Sequence, residues 1–254
     1  MWLLVKLQKR LKDWRIFSLA IAVCLSANET MLAAFCENAT PAYLFKQKSQ
    51  IQGQADLLVS ALGVKMSLTD RHLVIYMRPP LWHVQYCDLR SKRYFECAKE
   101  QFKEPLARTV NMTKASSFSH LKVKSSKPTV FMGAACKQFE LFDPYPTEGK
   151  RDQTWQALSI RSALACGYDE GQTKTLGRVL CRVYGMPELD AVPLNILVTN
   201  YRGENSTELE TSTAKKVTVN AADFVVPATC VQVPTVTAVA SENDVDSSLT
   251  ELFK

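Results

Sequence analysis

Residues Val74–Cys97 read "VIYMRPPLWHVQYCDLRSKRYFEC", and the fold class turns on this stretch. "HLVIYM", which runs into this stretch, is more continuously apolar than its neighbours and is expected to be a central strand. Pro79-Pro80 then removes two ladder donors, so the strand stops or steps there. "LWHVQYCDL" alternates, which puts Trp82, Val84 and Tyr86 on one face and turns His83 away from them. "DLRSK" reads as a turn and "RYFEC" as the returning strand. The result is a β-meander with short connections whose aromatic face has to be covered by something.

Toward the N-terminus, Val64, Met66 and Leu68 alternate with Lys65 and Ser67, the pattern of a strand with one wet face. Residues 41–53 are polar and fit either a short helix or a first strand. Toward the C-terminus, "EQFKEPLARTVNMTKASSFSHLKVKSSKPT" is expected to be a loop-rich crossing holding one short helix or strand. "TVFMGAACKQFELF" is expected to be one strand, "DPYPTEGKRD" a loop and "QTWQALSIRSALAC" another strand. Leu176, Val179, Leu180, Val183 and Tyr184 recur at helical spacing and predict a helix over 171–184. Asp169 and Glu170 sit at its favourable start and Arg182 near its end, and Gly185 with Pro187 form a stop signal. "VPLNILVTNYRG" and "STELETSTAKKVTV" follow as strands around the turn "YRGENS". The fold class expected is α+β and mainly antiparallel β: a curved sheet or incomplete barrel partly covered by one or two helices.

The start of the chain carries a targeting pattern. Lys6, Lys9, Arg10, Lys12 and Arg15 precede the short apolar run "IFSLAIAVCLSA" over Ile16–Ala27. That run is too short for a bilayer, which takes roughly 20 apolar residues, and it reads as a secretory signal over 1–34. Cuts after Ala27 or Ala34 both fit. A cut before Cys36 would leave a lipidatable cysteine, but Phe35 precedes it where a lipoprotein signal takes a small residue. The expected organisation is a signal peptide over 1–34, one β-rich domain over 35–237 and a flexible acidic tail over 238–254. The expected location is exported: periplasmic, cell-envelope or extracellular.

The net charge is +6 for the whole chain. Residues 1–34 hold five basic and two acidic side chains, so about +3 remains after cleavage, with no clustered stripe of the kind that binds nucleic acid. A mildly basic band, "LRSKRYFECAKEQFK" and "HLKVKSSK", reads as solvated strand faces and loops; a membrane surface is a partner the chain could have.

Six cysteines lie in the body of the chain: Cys87, Cys97, Cys136, Cys166, Cys181 and Cys230. In an exported chain an even set suggests disulfides, and six cysteines allow about 15 pairings among which sequence does not choose. Cys87 and Cys97 flank one turn, and both are expected outside the face of Trp82, Val84 and Tyr86, which makes them the simplest pair to test. The other reading is small apolar packing residues. Asn28, Asn38, Asn111 and Asn205 each head an Asn-x-Ser/Thr triplet, and Asn111 and Asn205 are glycosylation candidates in a eukaryotic source.

His72, His83 and His120 are the chain's three histidines and read as surface or cross-strand residues. No CxxC, HxH, HExxH or GxSxG occurs, and nine glycines are scattered without a phosphate loop. No nucleophile and base can be named, so a non-enzymatic protein with no cofactor and no metal is expected.

The closing stretch "STAKKVTVNAADFVVPATCVQV" resembles the last strands of LolA-like envelope proteins, in which a lysine-rich strand leads into an F-x-x-P close. Here that close is Phe224, Val225, Val226 and Pro227. The resemblance extends over about residues 50–235 and implies an incomplete barrel whose concave face holds acyl chains or an apolar segment of a partner. Six cysteines depart from a simple carrier, and the carriers' buried arginine has no identifiable counterpart, so no binding residue is transferred. The residues themselves point the same way: one helix covers only part of such a sheet, and an uncovered apolar groove is a default binding site. Trp82, Val84, Tyr86, Leu176, Val179, Leu180 and Val183 are the candidate groove residues. The function expected is an exported binding protein for a lipid, acyl chain or lipoprotein segment. A disulfide-stabilised structural or adhesion module without a cavity is the alternative, and a secreted hydrolase the third.

Overall fold

A computed structural model describes residues 39–50, 52–102, 119–145, 156–157, 159–169 and 173–239. The chain divides into two compact units between Ala39 and Thr40, and every element below belongs to the second. The expected signal segment, Cys36, Asn28, Asn38 and Asn111, and the acidic tail from Ala240 onward lie outside the described residues. The folded unit runs past the expected tail boundary, because Val239 is fully buried.

Twelve strands form one sheet. The first six make a meander: β1 Thr40–Ser49, β2 Gly53–Ser60, β3 Gly63–Leu68, β4 Leu73–Met77, β5 Val84–Asp88 and β6 Arg93–Cys97. The remaining strands are β7 Lys122–Phe131, β8 Ala134–Phe142, β9 Ile160–Tyr168, β10 Val192–Asn200, β11 Asn205–Val219 and β12 Val231–Gln232. One helix, α1 Thr173–Val183, lies between β9 and β10. The sheet order is β12-β6-β5-β4-β3-β2-β1-β11-β10-β9-β8-β7, a curved sheet that does not close on itself. All pairs are antiparallel except β12 with β6. Two meanders, β1–β6 and β7–β11, therefore meet at the β1–β11 seam.

The inner face carries Phe45, Leu57, Met66, Ile75 and Val84 in one continuous core. β4 is buried on both sides: Ile75 and Met77 face inward, while Val74 and Tyr76 join Cys87 in a small outer cluster. Its unbroken apolar run is what two covered faces require. α1 docks beside β10 through Gly177, whose position lies 2.4 Å from the Ala191 carbonyl oxygen when a Cβ is placed on it. The helix stops where the sequence predicts. Gly185 adopts φ 65°, its N–H donates to the Arg182 carbonyl, and the Met186 N–H donates to the Cys181 carbonyl, a Schellman close.

One expectation changes. "TVFMGAACKQFELF" is a hairpin and not one strand: Met132 (φ 50°) and Gly133 (φ 78°) form a two-residue turn between β7 and β8. Positive φ at both central positions is the geometry of tight hairpin turns, and the methionine hid it because that residue type seldom occupies the first position. The crossing expected to hold one short helix or strand does supply a strand, the start of β7 from Lys122 onward.

After β11 the chain becomes a strap. Asn220 caps a short 3-10 turn, Ala221–Phe224, with a reciprocal capping box to Asp223. Phe224 buries completely against Ala42 and Val219 on the outer face, beside Leu58 and Leu62. Val226 and Cys230 pack on Val74, Tyr76 and Cys87. β12 then pairs with the edge of β6, and Val233, Val236 and Val239 join the inner core. The Ser91 hydroxyl donates to the Val239 carbonyl at 2.9 Å, holding the end of the strap.

Candidate functional site

The seven candidate groove residues all fall in the inner core. Val84, Leu180 and Val183 are fully buried, Leu176, Val179 and Tyr86 nearly so, and Trp82 is 6% exposed. Trp82 sits just after the cis Pro79–Pro80 peptide in a left-handed conformation, φ 55°, its N–H donating to the Arg78 carbonyl at 3.0 Å. A bulky side chain rarely takes that conformation, and here burial of the indole in the core holds it there. Tyr86 packs on Phe102, with ring centroids 6.3 Å apart.

Beneath α1 the core is polar at one point. The Tyr184 hydroxyl donates to Gln47 Oε1 at 2.7 Å, and Gln47 Nε2 donates to the Pro193 carbonyl at 3.0 Å and to Thr211 Oγ1 at 3.1 Å. Thr211 Oγ1 passes the chain on to the Leu194 carbonyl. Gln52 Nε2 donates to the Val183 carbonyl at 2.9 Å, satisfying one of the orphan acceptors at the helix end. Burial drives the Tyr184 phenol well up, with Cys181 adding to it, so the hydroxyl stays a donor. This network joins β1, β10 and β11 to the helix. It was invisible in the sequence because Gln47 sits in a stretch that reads as polar surface.

The inner layer continues beyond the helix to the β1–β11 seam. Phe45 stacks on Tyr43 at 5.6 Å, and Tyr168 closes on both, at 5.2 Å from Tyr43 and 5.6 Å from Phe45. Phe45 is fully buried, but Tyr43 and Ala214 are only partly so. Opposite Tyr43 in the ladder stands the exposed Lys216, its Nζ 5.7 Å from the ring centroid. The covered inner face thus ends in a half-buried aromatic lip beneath a lysine. Alternation places Tyr43 and Phe45 on one face, but a polar β1 gave no reason to single them out.

Across the sheet, His83 Nδ1 lies 3.0 Å from Glu96 Oε1, and Gln85 Nε2 donates to Glu96 Oε2 at 3.0 Å. The Gln85 amide, and then His83, hold the Glu96 carboxyl below its ordinary range against the opposing pull of partial burial. His120 stands 3.7 Å from Asp143. Among the described residues no group of three or more His, Cys, Asp or Glu is placed to hold a metal ion.

The cysteines divide by face. Cys87 lies opposite Tyr94 and Cys97 opposite Val84, so Cys97 is on the inner side with Val84 and Cys87 is on the outer side. The sheet separates the pair that flanks the turn, which corrects the expectation that both lie away from the Val84 face. Cys87 instead meets Cys230 of the strap, Sγ to Sγ 3.5 Å. Cys136 and Cys166 are in hydrogen-bond contact between β8 and β9, which raises Cys136 and lowers Cys166. Cys181 is enclosed in the core, where burial pushes its thiol up to about 12.

No family model and no curated protein sequence matches the chain. Among solved structures it is similar to an uncharacterized conserved protein from Thermus thermophilus, at 11% identity and TM-score 0.31, covering 82% of this chain and 98% of that one. It is also similar to a LolA superfamily protein from Nitrosomonas europaea, at 10% identity and TM-score 0.24, covering 74% of this chain and 90% of that one. These scores make the likeness to LolA-like proteins weak.

Proposed function

We propose that this chain is a non-enzymatic binding protein that holds an acyl chain or the apolar segment of a lipoprotein against the inner face of its sheet. The observation that carries the reading is the lip at Tyr43 and Ala214, packed beside the buried Tyr168, where the inner apolar layer reaches partial exposure beneath Lys216. α1 has 11 residues, a length of about 16 Å. Twelve strands at about 4.8 Å spacing span roughly three times that distance. Among the described residues that helix is shorter than the sheet is wide, and the half-buried Tyr43 and Ala214 are where a tail of matching chemistry docks.

A second reading is supported by the near-complete burial of all seven candidate groove residues. It is a structural module with a filled core, stabilised by disulfides. Native mass spectrometry of full-length protein from its own host, with binding of a naphthalene sulfonate dye to the folded protein, separates the two. The binding reading expects a co-purified lipid mass, or dye fluorescence that a fatty acid displaces and that Tyr43→Ala weakens severalfold. Absence of both lipid and dye leaves the structural module.

Export to the cell envelope is part of the same proposal. It expects a mature N-terminus between residues 28 and 36. An intact Met1–Arg15 segment on the mature protein would overturn it.

A further inference from the structure

We propose that Cys87 and Cys230 form a disulfide that latches the C-terminal strap onto the outer face of the sheet. The two sulfurs already lie 3.5 Å apart, within the cluster of Val74, Tyr76, Tyr94 and Val226. A bond of about 2.0 Å needs an approach of roughly 1.5 Å. Cys230 is at the place where that movement is easiest: it is partly exposed, in a short turn, its N–H donating to the Pro227 carbonyl. Cys87 is fully buried on β5 and held by ladders on both sides.

The position of the bond gives it a purpose that the second contact between cysteines lacks. Cys136 and Cys166 join β8 to β9, which are already paired over seven register positions. The strap has far less to hold it. β12 pairs with β6 at only two residues, with the Val231 N–H donating to the Lys92 carbonyl and the Val233 N–H to the Tyr94 carbonyl. Cys230 immediately precedes these contacts. A bond there fixes the start of β12 to β5 and so keeps the edge of β6 covered.

The chemistry is thiol–disulfide exchange with a disulfide donor as the oxidant. The more exposed Cys230 thiolate attacks the donor, forming a mixed disulfide and releasing one donor thiol. The Cys87 sulfur then gives up its proton and displaces the second donor thiol. Two protein thiols are oxidised and one donor disulfide is reduced to two thiols, which carry away both protons. Burial, with the contact to Cys230 adding, pushes the Cys87 thiol up to about 12, so this second step is the slow one.

The test uses reduced full-length protein treated with oxidised glutathione. Remaining thiols are alkylated in denaturant, and the non-reduced digest is mapped by mass spectrometry. A linked Cys87–Cys230 peptide is expected, with Cys97 and Cys181 alkylated. Alkylation of both Cys87 and Cys230 after oxidation, or linkage of either to another cysteine, overturns the pairing. Hydrogen exchange measures the latch itself: oxidation should slow the Val231 and Val233 amides at least about tenfold, because opening of the strap is restricted. Cys230→Ser should abolish that slowing while the Cys136–Cys166 contact is retained. A bridged protein whose Val231 and Val233 amides exchange as in the reduced form would show that the bond is no latch.

Discussion

Strand β7 is exposed along most of its length, while β6, at the opposite edge, is hydrogen-bonded to β12 and wrapped by the strap. Both are outermost strands of the main ladder, and an unpaired edge invites pairing with another chain. On β7 the residues themselves discourage it: Lys122, Lys124 and Lys127 carry charge, and Pro128 removes a donor. On β6 the protein uses its own C-terminal chain as cover. The difference teaches that the two edges are protected in different ways: β7 is left exposed and guarded by its own residues while its partner β8 sends Cys136, Phe139 and Leu141 into the core, and β6 is covered by added chain. Val130 at 73% exposed, against Phe224 at 0%, measures the contrast.

The contrast breaks if the strap proves dispensable. Phe224→Ala removes its fully buried anchor between Ala42, Val219 and Leu58 and should cost about 3–5 kcal/mol in denaturant unfolding. Val130→Ala on the open hairpin should change stability by no more than about 0.5 kcal/mol. Similar losses at both sites would mean that β7 is covered in solution. A second effect lies midway between the edges. Gly177→Ala places a Cβ 2.4 Å from the Ala191 carbonyl, and the forced displacement of α1 should cost about 1–3 kcal/mol. A neutral result in thermal melts would show that the helix rides loosely on β10.

Smaller effects sharpen the account of the wrapped edge. Ser91→Ala loses the hydrogen bond to the Val239 carbonyl and should cost about 0.5–1.5 kcal/mol. Faster amide exchange confined to residues 231–239 is the expected signature, and uniform destabilisation would argue against a separable strap. The smallest effect is acidic. Glu96 titrates lower in the folded protein than its ordinary value because Gln85, and then His83, stabilise the carboxylate. Its contribution is therefore present above the ordinary carboxylate value of about 4.3 and is lost as pH falls through the lower folded value. Solvent screening at this partly exposed site limits it to less than about 1 kcal/mol. Melting curves of Glu96→Gln should lack the corresponding acid-limb loss, and an unchanged acid limb would show that Glu96 does not carry it.

Local signals carried much of the architecture. The apolar run of β4, the alternation of β3 and β5 and the stop after α1 are each written within a few neighbouring residues, and the structure follows them. The strap is different. Val231 and Gln232 are too short a strand to show a period, and Phe224, marked in the sequence only as the start of an F-x-x-P close, finds its packing partner Ala42 far away in the chain. The Cys87–Cys230 contact fails for the same reason, since spacing favoured Cys97. At the candidate site, alternation assigned Trp82, Val84 and Tyr86 to one face. It had no means of showing that Tyr43 and Lys216 face each other across a seam between distant segments.

That seam has a consequence in time. Thr40 lies opposite Val219 and Ser49 opposite Leu209, so the longest-range ladder in the sheet joins the first strand to the last long one. The β1–β6 meander closes through short neighbouring turns, which cost little loop entropy, and the β7–β11 ladder through longer but still local connections, whereas the seam waits until nearly the whole chain is present. A ribosome delivering this chain from its N-terminus makes β1 early and β11 late. Until then the β1 edge, with Tyr43 and Phe45 on it, is a sticky surface of the nascent protein. The order of assembly makes that interval the one in which a chaperone would have most to protect.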